Sequence, residues 1–257
     1  FFRSEVLHRF KADTEKYHLD ERSISCRNAW SLETFDINDA GQVHTYIIYL
    51  SKLPYEEQLY WQSFNEWPKA GISKRAHTTD ILGNWDDTYD PMISLKVRIG
   101  QLDSASPSWW KPRPKELHKA AKYPATDSVA EWGNEILALD HLVVEGFQKK
   151  GLAGLATENG ATIAKEWGTL KILEVVLPAM GTTEERAKEI IAPLRELHSL
   201  RNPAKAHGDP NGKERVAVNA RTQHGSLRAH IRYLATGCDN ALHMITTIIQ
   251  TSLNTGD

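Results

Sequence analysis

An α+β fold is predicted, and three features of the sequence predict it. Residues 1–110 mix short β-branched runs with helix starts and hold six of the chain's eight tryptophans. Residues 111–126 are proline-rich and read as a linker, because proline removes backbone donors and disfavours helix in the residue before it. Residues 127–257 carry four stretches of apolar residues at three-to-four spacing, the period of a helix buried along one face. They read as an all-α four-helix bundle behind a mixed α/β N-terminal region. The chain has 257 residues, 40% hydrophobic and 25% charged, a folded protein's composition rather than a disordered one's.

In the first region, Val43 to Leu50 is β-branched and aromatic after the Ala40-Gly41 turn signal, which predicts a strand. Pro54 suits the first turn of a helix over Tyr55 to Trp61. Tyr55, Tyr60, Trp61 and Trp67 are expected in the core rather than as base-stacking platforms. Asp86, Asp87 and Asp90 make an acidic loop without the spacing of a calcium loop. The stretch Ser104 to Pro114 holds three prolines in eight residues and two adjacent tryptophans, and reads as a linker or extended surface strap.

In the second region, a first helix is expected over Ser128 to Lys149, with Ile136, Leu139, Leu142, Val143 and Phe147 inward and Gly151 as its stop. A second is expected from Gly160 to Leu177, closed by Pro178. Thr182 to Glu185 resembles a capping box and opens a third, with Ile190, Ile191, Leu194, Leu197 and Leu200. A polar loop, Gly208 to Gly212, precedes the last helix, whose stripe runs from Leu227 to Ile249.

Net charge is −2 and the pI about 6.6, so a generally basic nucleic-acid binder is excluded and any such partner is met locally. No apolar run reaches the 18 to 20 residues that span a bilayer, and no secretory signal is visible, so no membrane partner and a cytoplasmic setting are expected. Cys26 and Cys238 form neither a disulfide framework nor a metal knuckle and read as free buried thiols. The glycines at 151, 154 and 160 form no phosphate loop. The chain opens on Phe1 inside an apparent helix, which predicts an upstream domain or regulatory partner.

The third helix ends unlike the others: Arg201, Asn202, Lys205 and His207 replace its apolar rhythm. An ideal helix sets Arg201 and His207 roughly 120° apart. Pro203 between them is expected to break the helix and let both converge. From Arg195 to Arg232 there are eight basic and three acidic residues, a local excess suited to RNA phosphates. Arg201 also suits the negative end of a helix dipole, and His207 also reads as a loop histidine.

Arg201-Asn202, four further residues, then His207 resembles the signature of HEPN domains, which are small four-helix bundles. The resemblance covers about residues 127–255. It implies a metal-independent endoribonuclease with no cofactor and no metal ligands, acting as a homodimer whose two motifs share one cleft. It implies His207 as general acid or base for attack of a 2′-hydroxyl on the neighbouring phosphate, Arg201 as its charge stabiliser and Asn202 as its orienting donor. His198 and Lys205 are the expected RNA contacts. Antiviral defence or a toxin system is the implied setting. The alternatives are a non-catalytic bundle for dimerisation or RNA binding, and a protein-interaction module.

Overall fold

The computed structural model describes the backbone of residues 1–86, 89–205 and 210–255, and the side chains of all these but 202–205, 210, 211 and 253–255. Five short strands lie between residues 17 and 44: β1 (Tyr17–Leu19), β2 (Ile24–Cys26), β3 (Trp30–Leu32), β4 (Asp36–Ile37) and β5 (Val43–His44). The helices are α1 (His8–Ala12), α2 (Ile47–Leu50), α3 (Tyr55–Ser63), α4 (Lys74–Ala76), α5 (Pro91–Ala105), α6 (Lys115–Ala120), α7 (Val129–Val143), α8 (Lys149–Glu158), α9 (Thr169–Ala179), α10 (Glu184–Lys205), α11 (Pro210–His224) and α12 (Leu227–Thr255). Strands confined to the first part of the chain and helices through the rest make the α+β class expected of the sequence.

The chain forms two compact units, each built from separate segments. The first comprises Phe1–Thr88, Pro124–Glu131 and Ala217–His230, the second the remainder. In the first, β1, β2 and β3 form an antiparallel meander with Tyr17 opposite Cys26, and Cys26 opposite Trp30. The register puts Leu19, Ile24 and Leu32 on one rung, and His18, Ser25 and Ser31 on the rung between the apolar ones. Period two thus sends one face into the core. There Phe10 meets Tyr17 edge-on at 5.1 Å and stacks on Trp61 at 6.1 Å, with Phe2, Leu7, Ile24 and Leu32 around them.

The predicted strand over Val43 to Leu50 is only two residues long. Its partner β4 offers two residues, so pairing stops at His44, and Ile47 to Leu50 turns into α2. The Asn38 side chain shapes the hairpin, accepting from the amides of Ala40 (3.1 Å) and Gln42 (2.9 Å). Trp61 is buried as expected and Tyr60 half-buried, but Tyr55 is 72% and Trp67 89% exposed. Tyr55 starts α3 and Trp67 lies past its end, so neither occupies the inward turn that Trp61 takes. Asp36 beside β5 accepts two bonds from Arg75, both 2.9 Å, and one from Ser73. Burial pushes its carboxyl up, and the Arg75 guanidinium more than offsets this, leaving it below the ordinary carboxylate range.

His224 and His230 carry the side chains of surface or partner-facing histidines in the sequence, but the structure buries His230. His230 is 4% exposed, its ring 4.8 Å from that of His224. Burial, then the neighbouring His224, push its imidazole down to about 4. An unfolded histidine titrates near 6.5. The unfolded chain therefore binds the extra proton first, and stability present above pH 6.5 is lost as pH falls toward 4. Between pH 7 and 5 the loss is expected to be about 1–2 kcal/mol. Thermal melts of the native chain and of His230→Phe check it, because the variant's melting temperature should lose this dependence.

In the second unit, Asp90 caps α5 through the amides of Met92 and Ile93, with Pro91 in the first turn. This gives the acidic loop a structural role at Asp90; Asp87 lies outside the described residues. The Trp109-Trp110 stretch is pinned down rather than free. Both rings are buried against Phe147, Gln148 N donates to Trp109 O (2.8 Å), and Lys111 N donates to Gly146 O (2.8 Å).

Residues 127–257 hold six α-helices among the described residues, where four were expected. The first ends at Val143 in a 3-10 turn, Val144–Gly146. Gly151 does not stop a helix; it is the third residue of α8, where a Cβ would lie 2.0 Å from Ser108 O. Its role is close approach of two backbones. The expected second helix begins nine residues late, at Thr169, and Pro178 sits in its last turn. The cap of α10 is Thr183, the second residue of the predicted box, whose Oγ1 accepts from Arg186 N at 3.2 Å. Pro203 does not break α10, which continues to Lys205, and Pro210 already begins α11. Cys26 and Cys238 are free and buried, as expected. No helix among the described residues is long and apolar enough to cross a membrane.

Candidate active site

On α7, Ile136, Leu139, Leu142 and Val143 are wholly buried. Asp140 falls on the same stripe, four residues after Ile136, and is 0% exposed. A carboxylate removed from water costs several kcal/mol unless it is paired. α10 supplies the pairing. Its inward row, Leu194 and Leu197, continues at the same three-to-four spacing as His198 and Arg201. The row changes from leucine to imidazole and guanidinium where it meets Asp140.

His198 Nδ1 lies 2.9 Å from Asp140 Oδ1. Arg201 Nη1 lies 2.9 Å from Glu145 Oε1 and 3.7 Å from Asp140 Oδ2. Oδ2 is buried and makes no hydrogen bond among the described residues. His141, one residue on, has Nε2 3.6 Å from Glu145 Oε1. The carboxylate is thus the deep anchor, while the His198 and Arg201 side chains keep 46% and 27% of their surface. An acceptor at Nδ1 favours the tautomer with its proton there, which leaves the Nε2 lone pair to act as a base.

The turn carrying Glu145 is itself tied down. Arg113 donates through Nη1 to Glu145 O (3.2 Å) and through Nη2 to His141 O (2.5 Å). Its own amide donates to Asp103 Oδ1 (2.9 Å), which also accepts from Trp110 Nε1 (2.9 Å). The buried tryptophan strap therefore reaches the carbonyls that end α7. Cys238 takes no part in thiolate chemistry, because burial pushes its thiol far up.

Of the residues chosen from sequence, Arg201 and His198 come together here. Asn202 and Lys205 lie on the last turn of α10, with their side chains outside the described set. His207 lies outside the described residues altogether. Asp140, His141, Glu145 and Arg113 were not chosen. The readable signal was Asp140, an acid inside an otherwise apolar stripe. The local positive excess is also partly spent. Arg195 pairs with Glu174 at 2.5 Å, Arg221 with Asp127 at 2.6 Å and Arg232 with Asp90 at 3.5 Å.

No family model, curated protein or solved structure matches this chain. The chemistry of the site has to come from its own residues.

Proposed function

We propose that the helical region is a HEPN-like endoribonuclease that needs no metal for cleavage. The observation that carries this is the buried Asp140 carboxylate, which holds His198 and Arg201 one helical turn apart at the end of α10. A base, its orienting carboxylate and a permanent cation are the groups that transesterification of RNA requires. In the proposed step a histidine takes the proton from a 2′-hydroxyl and O2′ attacks the adjacent phosphorus. The P–O5′ bond breaks, a protonated histidine supplies O5′ with its proton, and a 2′,3′-cyclic phosphate remains. His207 is one proposed acid or base and His198 the other candidate. Arg201 balances charge on the phosphorane oxygens, for which its planar fork is suited. Asn202 orients the phosphate, Lys205 contacts the strand, and a second copy of the chain completes the cleft.

A second reading has an observation of its own. Arg201 is engaged by Glu145 and Asp140, which equally suits a clamp between α7 and α10 in a non-catalytic RNA-binding or dimerisation module. Incubation with labelled single-stranded RNA in EDTA separates the two. Binding without cleavage, unaffected by Arg201→Ala, favours the clamp.

A further inference from the structure

We infer that Asp140, His141 and Glu145 form a binding site for a first-row divalent cation, zinc in particular, that competes with Arg201 for its two carboxylates. One ligand atom from each of the three residues lies within 4.8 Å of the others. The set combines an imidazole with two carboxylates, a mixture that suits zinc, cobalt or manganese better than magnesium or calcium. Three protein ligands leave one tetrahedral position for water. The second, independent observation is the orphaned oxygen. Asp140 is wholly buried, yet among the described residues its Oδ2 has no hydrogen bond, and the Arg201 guanidinium lies within ion-pair reach of it. Such an atom is a ready electron-pair donor for a cation.

The other groups around it fit this role. Asp140 Oδ1 is held by His198, and a carboxylate already bonded to a second group is a pre-oriented ligand. Arg113 fixes the backbone carbonyls of His141 and Glu145, so two of the three ligands sit on a braced turn. Arg201 now supplies the positive charge that the two carboxylates need. A divalent ion and a guanidinium cannot both occupy that space, so binding of the metal expels Arg201. On the ribonuclease reading proposed above, zinc is consequently an inhibitor of cleavage. The metal site itself does not rest on that reading.

The test is a titration of the EDTA-stripped, full chain with Co²⁺, followed by visible absorption and calorimetry, with zinc as competitor. One Co²⁺ per chain is expected, with a tetrahedral-type band that zinc abolishes. His141→Ala should weaken binding about 100-fold, the upper end of the cost of losing even a supporting group. Arg201→Ala should tighten it, because the competing cation is gone; an adventitious site would not respond in that direction. Circular dichroism and melting show that both variants fold. The inference is overturned if no such band forms, if His141→Ala binds as the native chain does, or if Arg201→Ala leaves affinity unchanged or weaker. RNA cleavage is a separate readout, so its absence would leave the metal result standing.

Discussion

Gly151→Ala is expected to lower the melting temperature by about 10 °C, while Gly154→Ala one turn later leaves it unchanged or raises it. Both glycines lie in α8, where alanine is intrinsically the better residue by roughly 0.5–1 kcal/mol. Helix propensity alone therefore predicts two stabilising changes. The surroundings separate them. A Cβ on Gly151 would meet Ser108 O at 2.0 Å, Ser108 C at 2.3 Å and Trp109 N at 2.5 Å, all backbone atoms. A Cβ on Gly154 meets only the end of the flexible Glu158 side chain, at 4.0 Å. Overpacking against backbone that cannot rotate away costs roughly 3 kcal/mol or more, about 6–12 °C in a protein of this size. Parallel thermal melts check it. Equal behaviour of the two variants would mean that the tryptophan strap does not dock on α8 in solution.

Asp140→Leu and Asp140→Asn are expected to cut RNA cleavage at least about 100-fold with little loss of stability. The asymmetry follows from its position. A buried carboxylate with one unbonded oxygen gains little net stability, and its loss strands no buried charge, because Arg201 keeps Glu145 and the His198 side chain is 46% exposed. Its removal nevertheless frees His198 from its Nδ1 partner and Arg201 from one of two anchors. A group that orients others acts through them, so Asp140 is a positioning residue. Cleavage rates measured beside denaturant unfolding separate the two effects. Native-like cleavage by Asp140→Asn would remove the carboxylate from the account.

Much of the fold was legible in residue patterns. The α+β class, the buried stripes of α7 and α12 and the start of α3 all follow from periodicity and from proline. What escaped was set by partners distant in the chain. Gly151 looks like a stop signal until Ser108 is placed against it. Val43 to Leu50 has strand composition, but β4 gives it only two residues to pair with. Pro203 has the chemistry of a helix breaker, yet α10 runs through it to Lys205. At the site, Arg201 and His198 were visible as a change in the rhythm of α10. Their anchors were not, because Asp140 and Glu145 lie more than fifty residues earlier and Arg113 earlier still. An acid falling on an apolar stripe is the local sign that such a partner exists.

Arg201 and a histidine are proposed to cleave RNA at the end of α10 without a metal. The most direct measurement of this is the rate of cleavage of labelled single-stranded RNA in excess EDTA by the native chain, Arg201→Ala and His207→Ala. Cleavage is expected to persist in EDTA, to yield 2′,3′-cyclic phosphate ends, and to fall at least about 100-fold in each variant. Cleavage abolished by EDTA, or undiminished in both variants, would contradict it.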